Sequence, residues 1–127
     1  MAKRQVDIVF VGPTSGPYSV IQRFAGESTR LHATIRWVRQ VAHILDDAPP
    51  EKPTVWVVAD DIETLELGEL LSWLDRNGLS SAGIVLVPDG SREHVSRVKA
   101  MGGANLLRSD KMTASVFEQL VIHAATS

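Results

Sequence analysis

A doubly wound α/β fold, built on a parallel sheet of five strands, is what this sequence predicts. Three observations carry that reading. Residues 6–11, 54–59 and 84–87 are apolar runs with little alternation, as expected for strands buried on both faces. Each run is followed by a turn and then by apolar residues at three- and four-residue spacing. This strand-then-helix unit recurs five times, and right-handed crossovers would place helices on both faces of one parallel sheet.

The elements follow in order. Residues 6–11 form a first strand, interrupted only by Asp7, and GPTSG at 12–16 is a turn-forming loop. The stripe Val20, Ile21, Phe24 and Ala25 predicts a helix over 18–25, with Pro17 tolerated in its first turn. Residues 31–35 read as a second strand. Val38, Val41, Ala42 and Leu45 then predict a second inward-facing helix, ended by the proline-rich loop 46–53. TVWVVA at 54–59 is the clearest strand. Leu67, Leu70, Leu71 and Leu74 mark the next helix, stopped at Gly78. Residues 84–87 are the fourth strand, followed by Pro88, Asp89 and Gly90. Ser91 is placed to cap a helix bearing Val95, Val98 and Met101, which Gly102 and Gly103 would end. Residues 104–107 form a fifth strand. A last helix over 113–123 carries Val116, Phe117, Leu120 and Val121.

Composition narrows the function. The chain of 127 residues is 44% hydrophobic and 22% charged, enough for one packed domain spanning 1–127. Absence of cysteine excludes disulfides and thiolate metal sites. Thirteen Lys and Arg against fifteen Asp and Glu leave a formal charge of −2, so no broad footprint for nucleic acid is expected. No run approaches the roughly 20 apolar residues that span a bilayer. The expectation is a cytoplasmic domain without membrane insertion or direct nucleic-acid binding.

Ligands of such sheets bind at the carboxyl ends of the strands. Four features fall there: the 12–16 loop, Asp60 with Asp61, the loop 88–91, and RSDK at 108–111. Asp60, ending the strongest strand, has the chemistry to bind a cation or attack a phosphoryl donor, or to cap the next helix; Asp61 suits a cap or a solvated loop. GPTSG lacks the glycine spacing of a dinucleotide fingerprint and the Gly-Lys-Ser/Thr of a P-loop. The four histidines, His32, His43, His94 and His123, show no metal-binding spacing. Trp56 reads as core, while Trp73 and Trp37 admit either packing or a partner interface.

Over residues 6–124 the pattern resembles the receiver domain of two-component response regulators. Asp60 ends the third strand and Gly68 follows it eight residues on. SREHVSRVKAMGGANLL then matches the family's helix, Gly103–Ala104 pair and short fifth strand. The resemblance implies a flavodoxin-like arrangement, with Asp60 as a phosphoacceptor or its remnant. It also exposes departures. Where receivers carry two acids that help to hold Mg²⁺ stand Gly12 and Pro13. Pro88 replaces the usual hydroxyl residue. The usual Lys falls at Ser109, with Arg108 and Lys111 beside it, and Asp110 stands where a Pro is common.

A nearly lone carboxylate makes a poor magnesium site. The chain is therefore expected to be an atypical receiver, a pseudo-receiver, without cofactor, bound metal or enzymatic activity. It would signal through protein–protein contact with a signalling protein or effector domain, or as a homodimer. Interface candidates are Trp73, Arg92, Arg97, Lys99, Lys111 and Glu118. Two alternatives stay open: an unusual phosphoacceptor using Asp60, and a small-ligand sensor using the 12–16 loop.

Overall fold

A computed structural model describes residues 3–88, 92–102 and 105–126. The elements are β1 (Arg4–Val11), α1 (Ser15–Glu27), β2 (Leu31–Val38), α2 (Ala42–Leu45), β3 (Thr54–Val58), α3 (Thr64–Arg76), β4 (Gly83–Val87), α4 (Arg92–Ala100), β5 (Asn105–Arg108) and α5 (Ala114–Ala125). The sheet is parallel throughout, in the order β2-β1-β3-β4-β5. This is the flavodoxin-like, doubly wound arrangement. The strand order reverses between β1 and β3, so the crevice expected at their carboxyl ends lies between Gly12 and Asp60.

Side chains alternate between two cores, because successive residues of a strand face opposite sides of a sheet. Val6, Ile8 and Phe10 of β1 join Val55 and Val57 of β3 against α1 and α5, through Ile21, Phe24, Phe117 and Val121. Val9, Val11, Trp56 and Val58 face α2, α3 and α4, through Ile44, Leu67, Leu70, Leu71 and Leu74 of α3, and Val98. Every residue of β3 and β4 is buried, which is why both segments read as unbroken apolar runs. Fully burying one such leucine or phenylalanine contributes about 1.5–3 kcal/mol. Helix α3 ends where Gly78 takes a positive φ of 69°. Leu79 N–H then reaches Leu74 O at 2.8 Å and Gly78 N–H reaches Asp75 O at 3.1 Å, the paired bonds of a glycine-terminated helix.

Four expectations need correction. The second helix is a single turn. Strand β2 runs on to Val38, which pairs with Val11 of β1, and the prolines after residue 48 stop the chain from winding further. Its inward residues are Val41 and Ile44, while Ala42 is exposed. In α5, Val116 is 43% exposed: Thr113 caps the helix by accepting the N–H of Val116 at 3.2 Å, and the inward stripe runs through Phe117, Val121 and Ala124. Trp73 faces the core rather than the surface, so it offers no exposed ring to a partner. It is 5% exposed and packs edge-on against Trp56, with centroids 5.8 Å apart. Glu118 is no free rim group either. It accepts the Ser28 hydroxyl and faces the Arg30 guanidinium at 3.9 Å, tying α5 to the turn before β2. The expected cap at Ser91, the loop residues Asp89 and Gly90, and the Gly103–Ala104 pair lie outside the described residues.

Candidate functional site

The carboxyl edge of β1 and β3 is built first by backbone. Ala59 N–H donates to Val11 O at 2.8 Å, and Gly12 N–H donates to Val38 O at 3.1 Å. Gly12 is thereby drawn against the neighbouring strand. A Cβ added there would sit 2.5 Å from the Cβ of Ala59 and 3.3 Å from the Phe10 ring. The Gly12 carbonyl accepts the Trp37 indole N–H at 2.9 Å. Tyr18 stacks on Trp37 from one direction and Arg39 lies 4.5 Å from the ring centroid. Glycine is thus dictated by packing at the position where receivers carry a metal-holding acid. Pro13 is exposed and offers no side-chain donor or acceptor.

Asp60 follows the buried Ala59 and is half-buried at the rim. The Ser109 hydroxyl lies 2.9 Å from Asp60 Oδ2 and 3.1 Å from the Val87 carbonyl. Its single proton is shared between these two acceptors. Ser109 therefore bridges β4, β5 and the end of β3. Asp61 is exposed, and its Oδ2 accepts the Thr14 hydroxyl at 3.0 Å. That bond ties the β1–α1 loop to the β3–α3 loop and commits one hydroxyl of the 12–16 loop.

The cations near the rim are arranged otherwise than the sequence suggests. Arg108 is the last residue of β5, and its Nε and Nη2 donate to Asp110 at 3.0 and 2.7 Å. This two-pronged contact holds the Asp110 carboxyl below the usual carboxylate range, with smaller help from the Arg108 and Lys111 charges. Lys111 is exposed in the turn that follows. Pro88 is exposed and brings no hydroxyl toward Asp60. Among the described residues Asp60 forms no ion pair. Beside it, Ile62, His94, Arg97 and Met101 help to line a space of about 20 Å³, enough for one water.

A receiver-type Mg²⁺ does not fit these residues. Such an ion needs near-octahedral oxygen coordination. Gly12 and Pro13 provide no carboxylate, Asp61 is held by Thr14, and one oxygen of Asp60 is held by Ser109. Among the described residues no three His, Cys, Asp or Glu side chains are grouped to hold a metal.

Arg92, Arg97 and Lys99 all lie exposed on α4. The sequence reading missed the Ser109–Asp60 and Thr14–Asp61 contacts and the indole bond to Gly12. Each joins residues 25 to 49 positions apart, and only strand order and register bring them together.

No protein-family model and no curated protein matches the chain. Solved structures do. A chain described as a pilus assembly protein (cpaE) from Burkholderia thailandensis E264 is 17% identical over 96% of this chain and 99% of that one, with a TM-score of 0.72. The signal receiver domain of an HD domain-containing protein from Pseudomonas fluorescens Pf-5 is 14% identical over 98% and 100%, with a TM-score of 0.70. The phosphorylated cyanobacterial phytochrome response regulator RcpA is 13% identical over 99% and 97%, with a TM-score of 0.64. These likenesses show that the chain has the receiver-domain fold. No helix among the described residues is long and apolar enough to cross a membrane.

Proposed function

We propose that this chain is a receiver-fold signalling module that acts by protein–protein contact without Mg²⁺-dependent phosphorylation. The observation that carries the reading is the 2.5 Å approach of a Gly12 Cβ to Ala59. It leaves no room for a metal-holding acid beside Asp60. Phosphoryl transfer to a carboxylate brings anions together and needs their charge neutralised in the transition state. Ser109 supplies one hydrogen bond to Asp60, and Arg108 is engaged with Asp110. The exposed Arg92, Arg97 and Lys99 of α4 offer a basic contact surface for a signalling protein, an effector domain or a second copy.

A second reading is favoured by the comparisons. Asp60 is half-buried at the end of β3, and a phosphorylated response regulator shares the fold over nearly the whole chain. In that reading Asp60 is an unusual phosphoacceptor, with Ser109 beside the acyl phosphate.

One experiment separates the two. The full chain is incubated with acetyl phosphate and Mg²⁺ beside an ordinary receiver, and intact mass is recorded. The first reading expects no added phosphoryl group while the ordinary receiver is labelled. Labelling that requires Mg²⁺ and disappears in Asp60→Asn would replace it by the second.

A further inference from the structure

The short α2 leaves a gap in the layer that covers the sheet. Where a full helix would lie, the loop after Leu45 crosses instead. Beneath it is a cavity of about 240 Å³, bordered by Asp7, Arg36, Ile44, Asp47, Trp56 and Trp73 among others. It sits over the amino-terminal half of the strands, away from Asp60, and its use does not depend on the role of that residue.

The polar groups of this cavity differ in burial: Asp47 and Arg36 are exposed at its mouth, and Asp7 lies deeper. Asp7 interrupts the apolar β1, lies on the same sheet face as Val9, and is half-buried. Among the described residues neither Asp7 nor Asp47 has a side-chain hydrogen bond or ion pair, and Arg36 forms no ion pair. Trp56 and Trp73 are 2% and 5% exposed, yet neither indole N–H has a partner among the described residues, unlike Trp37. No fully buried side-chain nitrogen or oxygen is left unpartnered there, so both N–H groups keep an opening, and the cavity borders both rings. A buried indole N–H normally finds an acceptor, and a half-buried carboxylate is stabilised by a cation.

We infer that this cavity binds a small organic cation with a flat apolar body and one hydrogen-bond acceptor. Two carboxylates against one guanidinium favour positive charge. The paired indoles supply an apolar wall that also attracts an ammonium group, and their N–H groups await an oxygen. The size and mostly apolar lining with a few convergent polar groups suit a fragment-sized ligand.

Tyramine carries an ammonium, a ring and a phenolic oxygen; N-acetyltyramine removes the charge and adds a small acetyl group. The measurement follows the three indole N–H resonances of the ¹⁵N-labelled full chain. Tyramine is expected to shift Trp56 and Trp73 saturably and to leave Trp37, bonded to Gly12 on the other side of the sheet, in place. Acetylation, or Asp7→Asn, should weaken binding about tenfold or more, the loss of one charge-assisted contact. Asp47→Asn tests the same point should Asp7→Asn fail to fold. Absence of saturable shifts at millimolar tyramine, equal binding of the acetylated form, or undiminished binding by the folded variant would overturn the assignment.

Discussion

The two ends of the sheet treat their polar groups in opposite ways. At the carboxyl edge, where this fold usually places its chemistry, the groups are bonded to one another. Asp60 holds Ser109, Asp61 holds Thr14, Gly12 holds Trp37, and Arg108 holds Asp110. Over the amino-terminal half, half-buried Asp7, exposed Asp47 and two buried indoles border one cavity, without side-chain partners among the described residues. A bonded rim serves as structure, because each contact fixes one loop against the next. In the cavity the indole N–H groups and the carboxylates keep access to solvent, so they are open to a ligand. The contrast is between polar groups committed to one another at the carboxyl edge and polar groups open to solvent beside the short α2.

The largest expected effect tests the walls of the cavity. Trp73 belongs to the core through Trp56 and the leucines of α3. Trp73→Ala should lower stability by about 3–5 kcal/mol, read as an earlier midpoint in urea unfolding at unchanged slope. A loss under 1 kcal/mol would mean that the ring was dispensable to folding, and the contrast between a built wall and an open site would fail.

The carboxyl edge has its own break point. Gly12→Ala introduces a methyl group against Ala59, and the backbone there is pinned by bonds to Val38 and Trp37. Overpacking of this kind costs about 1–3 kcal/mol. The same urea titration measures it, and the Trp37 indole N–H resonance should move as its acceptor shifts. A neutral outcome would show that the edge yields easily, leaving room for the acid that a magnesium site needs.

How far the residues alone could be read follows the same division. TVWVV announces β3 because burial on both faces removes alternation, and Leu67, Leu70, Leu71 and Leu74 announce α3 by local spacing. Asp60 is found at the sheet edge for the same reason: its position depends only on where β3 stops. The bonds that decide the chemistry are not local. Nothing near Gly12 says that Ala59 lies against it, and nothing near Ser109 says that Asp60 is within reach. The second helix reads too long in the sequence because Val38 and Val41 fit a helical stripe as well as they fit a strand end and a turn. Only eight-residue pairing with β1 decides between them. Trp73 was ambiguous because its burial depends on Trp56, seventeen positions earlier.

The smallest effect concerns the Arg108–Asp110 contact. Both side chains are close to half exposed, so solvent screens most of its contribution to stability. The sign of its pH dependence is nevertheless set. The Asp110 carboxyl is held below its ordinary value of about 3.8, first by the Arg108 hydrogen bond. A carboxyl with a depressed folded-state pKa stabilises the fold above its unfolded pKa, and that contribution fades as pH falls through the folded value. Arg108→Ala should therefore raise the Asp110 pKa toward the ordinary value, seen by carboxyl ¹³C titration, and remove this part of the acid-side decline. An unmoved Asp110 in the variant would mean that the rim contact does not hold in solution. The bonded edge would then be looser than the contrast with the cavity requires.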